Sequence, residues 1–143
     1  MIEIKLDTTE LQTKLSTLNE AYETALMTST QEIAKELHKA LLLNTPVITG
    51  NLRKEWSSGE NLMFTVERIP NGFQVTLINN ARTGSENGFQ YASAVNYGHK
   101  TPNGGWVAGR FFVERSEAQT EPKCYDIIDK NIRKYFMRWL SGK

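Results

Sequence analysis

Hydrophobic and polar positions alternate over the first residues of the chain and then change period. Ile2, Ile4 and Leu6 take turns with Glu3, Lys5 and Asp7, the period of a short strand at a sheet edge. Asp7 or Thr8 then stands where a helix cap is needed, with Glu10 placed to complete a capping box with Asp7. From Leu11 the apolar residues recur at helical spacing through Leu15, Leu18, Tyr22, Ala25 and Leu26, and resume at Ile33, Leu37, Ala40 and Leu41. A helix continuous to Leu43 would be ~50 Å long. Ser29 and Glu32 offer a second capping box, so one helix, a kinked helix and two helices all fit the pattern.

Asn44 and Pro46 end this helix, because the residue before a proline avoids the α region. Thr49 can cap a shorter helix from Asn51 to about Ser57, with Leu52 and Trp56 four apart on its buried face. Leu62, Phe64 and Val66, then Phe73, Val75 and Leu77, alternate with their neighbours on either side of Pro70-Asn71-Gly72. That is the pattern of a β-hairpin with strong turn chemistry. A polar loop follows over 79–90, then a short helical or irregular piece from Tyr91 to Asn96. A glycine-rich loop over 98–109 holds Trp106 and Val107. The segment from Arg110 to Gln119 has helical character, Pro122 interrupts it, and a last helix is expected from Tyr125 to Leu140 with Ile128, Ile132, Tyr135, Phe136 and Trp139 on one stripe. The expected fold is a single α+β domain over 1–143, with a long N-terminal helix and C-terminal helices packed on a small antiparallel sheet that contains a β-hairpin.

Composition adds few constraints. The chain has 143 residues, 17 basic against 16 acidic and a formal charge of +1, a balance unlike that of a wholesale nucleic-acid binder. The single cysteine, Cys124, cannot form an internal disulfide, which suits folding in a cytoplasm. Met1–Asp7 holds no apolar core of signal-peptide length, and no apolar run approaches a membrane span.

Candidate chemistry is sparse. Two histidines, His38 and His99, and one cysteine do not make the ligand set of a structural zinc. A Cys124–His99 nucleophile pair lacks an orienting residue, Gly104-Gly105 lacks the spacing of a phosphate loop, and the glutamates of the long helix read as a solvated face. No enzyme activity, cofactor or metal is expected. The C-terminal helix interleaves Lys123, Lys130, Arg133, Lys134, Arg138 and Lys143 with aromatics. This suits phosphate contact and base stacking, or a core stripe with a solubilising cationic face. The two long loops call for an explanation, since compact domains seldom keep such loops unless they work. Trp106 either anchors a partner or folds back over the sheet.

Three stretches occur in fixed order: Thr45-Pro46-Val47-Ile48-Thr49-Gly50-Asn51-Leu52-Arg53, Tyr91-Ala92-Ser93-Ala94-Val95-Asn96-Tyr97-Gly98-His99, and Gly104-Gly105-Trp106-Val107-Ala108-Gly109-Arg110-Phe111-Phe112. Together they resemble the tail-completion, head–tail joining or neck proteins of long-tailed bacteriophages, over about residues 30 to 120. The resemblance implies a structural virion protein of phage or prophage origin. It would be made in the bacterial host cytoplasm and built into the neck as an oligomeric ring between head connector and tail, near the DNA channel and away from membranes. Arg53, Tyr91, Asn96, Tyr97, His99, Trp106 and Arg110 become candidate assembly residues, and Pro46, Thr49, Gly50, Leu52, Gly98 and Gly109 candidate structural ones. The resemblance implies glutamate in many relatives at the position where this chain has Asn96. The loops near 79–90 and 98–109 are expected to be mobile until neighbours order them, and their parts over 82–90 and 99–107 to carry inter-subunit or tail contacts. Arg53 and Arg110 pair with carboxylates on a neighbour or within the fold. Other readings are a different morphogenesis factor, such as a tail terminator or minor capsid protein, or a small nucleic-acid-binding protein using the C-terminal helix.

Overall fold

A computed structural model describes residues 3–5, 7–47, 50–57, 66–84 and 88–142. Its elements, in chain order, are α1 (Thr9–Asn44), α2 (Asn51–Ser57), β1 (Glu67–Ile69), β2 (Gly72–Gln74), α3 (Ala92–Tyr97), β3 (Gly98–Lys100), β4 (Trp106–Ala108) and α4 (Phe112–Leu140). The class is α+β, as the pattern of the chain predicts. The strands form two separate antiparallel ribbons, β1–β2 and β3–β4, rather than one sheet.

α1 is one helix. Its start is fixed by Asp7, whose Oδ1 accepts from the Thr9 N–H at 2.9 Å and from the Thr9 hydroxyl at 2.6 Å. Ser29 does not begin a second helix: its hydroxyl donates back to the Ala25 carbonyl at 2.7 Å, the bond a helix-interior serine makes. At the other end Thr45 turns extended ahead of Pro46, and its N–H still closes on the Leu41 carbonyl. Of the expected N-terminal strand, Ile2 and Leu6 lie outside the described residues, and residues 3–5 join no strand. Thr49, Leu62, Met63, Phe64, Thr65 and Lys143 also lie outside them.

α4 runs unbroken from Phe112 to Leu140 with Pro122 inside it, which corrects the expected break. Pro122 is exposed, so the Ala118 carbonyl that loses its helical partner can turn to water. α1 and α4 lie antiparallel. The Asn44 amide donates to Ser116 Oγ and Gln119 Oε1 at one end, and Trp139 Nε1 donates to Thr17 Oγ1 near the other. Between them Lys123 and Lys130 reach Glu36 and Glu32, both at 2.8 Å, and Asn131 Nδ2 donates to Ser29 Oγ. The residues buried along this seam are mainly small or polar: Ala25, Ser29, Ala34, Ser116, Thr120 and Asn131. Leu11, Leu15 and Tyr22 are exposed, although their spacing alone suggests a core stripe. The core gathers where α1 ends. Leu41, Leu52, Trp56, Ala81 and Phe112 are buried together there, with Leu37, Leu77, Tyr91 and Val95 packed around them.

The chain turns into the first ribbon at Pro70-Asn71, with Ile69 paired to Gly72. The second ribbon replaces the structureless loop expected over 98–109. Gly98 pairs with Ala108, His99 with Val107 and Lys100 with Trp106, around a turn at Thr101–Gly105. The segment over 79–90 stays largely irregular among its described residues, held by a bridge between Arg82 and Gln90 and by hydrogen bonds between Thr83 and Phe89.

Candidate assembly interface

The first motif closes the core. Pro46 and Gly50 turn the chain between α1 and α2. Gly50 has φ +83°, a value other residues resist, and its carbonyl accepts from the Lys54 N–H to begin α2. Leu52 and Trp56 are both buried, as their spacing predicts. The Arg53 guanidinium donates to the Thr45 carbonyl at 3.2 Å, so it clasps the end of α1. Behind α2, Asn51 Nδ2 donates to the Tyr91 hydroxyl at 3.1 Å, and Asn79 Nδ2 donates to the Leu52 carbonyl. His38 on α1 hydrogen-bonds the Trp56 carbonyl, a structural role.

The second motif builds the start of α4. Asn96 is only 2% exposed. Its Oδ1 accepts from the Val113 N–H at 3.0 Å, and its Nδ2 donates to both carboxylate oxygens of Glu114 at 3.1 and 2.9 Å. The residue preceding the helix, Phe111, makes no side-chain cap and has φ +48°. Asn96 therefore does from a distance what a capping residue and its glutamate partner do locally. These bonds hold the Glu114 carboxyl below its ordinary pKa, with the Asn96 amide as the main cause and the Tyr97 hydroxyl a lesser one. The interface role expected for Asn96 gives way to an internal one in this conformation. Glu114 was not singled out from the sequence. Its place three residues past Phe111, at the start of a helical pattern, was the available signal.

The third motif leads out of this junction. The Arg110 and Phe111 N–H groups donate to the Val95 and Asn96 carbonyls, both at 2.9 Å, which ties the strand leaving β4 to the end of α3. Gly98 and Gly109 make that approach possible. A Cβ on Gly98 would lie 2.5 Å from the Val107 carbonyl oxygen, and one on Gly109 would lie 2.4 Å from that of Asn96. Gly98 also has φ +88°.

What projects from this base is a two-stranded ribbon with no layer over either face. Trp106 is 63% exposed, and Val107, His99 and Lys100 are exposed as well. At the ribbon's root Tyr97, Arg110 and Phe111 are also exposed. The fold thus brings Tyr97, His99, Trp106 and Arg110 together on one projection and leaves Arg53 and Tyr91 on the core behind it. Residues 91–113 include Lys100 and Arg110 and no aspartate or glutamate.

Half of the basic residues described on α4 are paired from within. Lys123 and Lys130 pair with α1 glutamates and Arg133 with Asp129. Lys134 and Arg138 sit over the Tyr135 ring, whose hydroxyl meets Thr28, and Phe136 stacks on Trp139. The Cys124 thiol hydrogen-bonds the Thr120 carbonyl one turn back. Among the described residues, no group of three or more His, Cys, Asp or Glu could hold a metal ion. No described helix is long and apolar enough to cross a membrane.

Comparison with curated proteins and with solved structures gives no match. Residues 9–98, which hold α1, the α1–α2 turn, the first ribbon and α3, match the family described as "Bacteriophage HK97-gp10, putative tail-component". That span is more than half of the chain and takes in the first of the three motifs and the second as far as Gly98, so the protein belongs to the HK97-gp10-like family of phage tail components.

Proposed function

We propose that this tail component is a neck protein that joins the head connector to the tail as one subunit of an oligomeric ring. The observation that carries the reading is the β3–β4 ribbon. It is rooted through Asn96, Gly98 and Gly109, and it leaves Trp106 and Val107 largely open to solvent, with the Trp106 ring lying over Gly98 of the ribbon itself. A tryptophan left mostly exposed on such an arm suits an assembly interface, which uses it as an anchor. In this reading the ribbon meets a neighbouring subunit or the tail end. Tyr97, His99 and Arg110 flank the contact, and the virion is the protein's destination.

Replacing Trp106 with Ala tests the assignment. The variant is expected to keep the wild-type circular dichroism spectrum and melting temperature, and to lose the ability to join heads to tails in a reconstituted assembly reaction. Joining at the wild-type level by the folded variant would remove the ribbon from the interface. A steep salt dependence of DNA binding would instead favour the α4 reading, against which Lys123, Lys130 and Arg133 are engaged in internal ion pairs.

A further inference from the structure

The sequence holds a strand-like segment at 2–7, and the fold holds a ribbon edge without a neighbouring strand. Ile2-Glu3-Ile4-Lys5-Leu6-Asp7 has the alternation of a β-strand, yet residues 3–5 pair with nothing and Ile4 is 85% exposed. At the far end of the molecule, the bond from the Thr101 N–H to the Gly105 carbonyl sets the phase of the second ribbon. His99 and Val107 therefore face each other across the ladder, and Trp106 and Ala108 turn their N–H and C=O groups outward. The outer edge of β4 is open, and its residues Trp106-Val107-Ala108 carry none of the charge or proline that guards free edges.

We propose that residues 2–7 of one copy add as a third strand to the β4 edge of a second copy. Charge favours the pairing: the strand-like segment carries Glu3 and Asp7, and the region around the ribbon has Lys100 and Arg110 with no acid over 91–113. Main-chain bonds would supply the affinity, and Ile4 would share a face with Trp106 and Ala108 or, in the other register, with Val107. Reach decides which copy supplies the strand. α1 separates Thr9 from Leu41, which packs in the same core as Phe112 beside the ribbon's root. That separation is about 48 Å of helix. The segment before Thr9 spans at most roughly 25 Å when fully extended, and the ribbon reaches back only about 10 Å from its root. A strand from the same chain falls short, so the contact is between copies. It is also head-to-tail, the kind that closes into a ring when the rotation allows.

This inference rests on the ring reading only in requiring copies to meet, and the test separates the two. A photo-crosslinker is placed at residue 4 by Ile4→Cys in a Cys124→Ser background. Isotopically heavy and light chains are then mixed and assembled, and the crosslinked peptides are mapped. The expected crosslinks join residue 4 of one chain to residues 105–109 of the other isotope. In the same assay Ala108→Pro, which removes an outward N–H, should raise the concentration midpoint of assembly by about tenfold. Asn103→Ala at the ribbon tip should leave it unchanged. Assembled mass with crosslinks at other positions overturns the strand addition and leaves the ring standing. Failure of the wild-type chain to assemble removes both.

Discussion

Truncating Asn96 probes the junction on which the ribbon depends. Asn96→Ala removes the acceptor of the Val113 N–H and the donor to both oxygens of Glu114. Loss of the cap bond to the Val113 N–H costs about 1 kcal/mol, and loss of the bonds to the Glu114 carboxylate in this partly buried site adds about 1–2 kcal/mol. The expected loss is therefore about 2–3 kcal/mol, enough to lower the melting temperature of a domain this size by about 10 °C. Thermal unfolding followed by circular dichroism at pH 7 measures it. A companion variant, Asn96→Asp, keeps the acceptor but sets a carboxylate against Glu114. Its deficit should be at least as large at pH 7 and should shrink in acid, as one of the two carboxylates takes a proton. A melting temperature for Asn96→Ala within about 2 °C of wild type would refute the capping role, since it lies far below the cost assigned to the two lost functions.

Other outcomes follow from single sites. Hydrogen bonds from Lys123 and then Lys39 lower the Glu36 pKa from 4.5 to about 2. The stabilisation from this group is therefore complete above its unfolded value and fades as pH falls from 4.5 towards 2. The melting-temperature gap between wild type and Glu36→Gln should close over that window, and a gap constant with pH would exclude the linkage. Gly98→Ala places a methyl against the Val107 carbonyl at a positive φ, so it should cost upwards of about 2 kcal/mol and disorder the ribbon. A variant with native stability and native amide spectra across 98–108 would contradict this. Pro122→Ala restores a helical bond on the exposed side of α4 and should stabilise the protein by about 1–3 kcal/mol in denaturant titration. A destabilised variant would mean that the proline's bend is needed for packing on α1.

Much of the fold was legible in the sequence because the signals were local. Asn44 and Pro46 marked the end of α1, the four-residue spacing of Leu52 and Trp56 gave the buried face of α2, and Pro70-Asn71-Gly72 set the first turn. The features that escaped depend on context. The strands β3 and β4 are three residues each and exposed on both faces, so they show no alternation of burial to read. Pro122 looked like a break because the sequence does not show that its face of α4 is solvated. Leu11, Leu15 and Tyr22 have the period of a core stripe, but α4 packs α1 along a seam of small and polar side chains instead. The resemblance offered Asn96 as an assembly residue, and only the fold shows that it caps a helix that begins sixteen residues further on.

The central claim is that copies of this chain assemble, through the projecting ribbon, into a ring that closes the tail. The most direct test is the mass of the purified protein in solution across a concentration series, alone and with purified tails. The account predicts a closed oligomer of defined mass, formed by the protein alone or on tail ends, that is lost with Trp106→Ala. A monomer at every concentration that also ignores tails would contradict it.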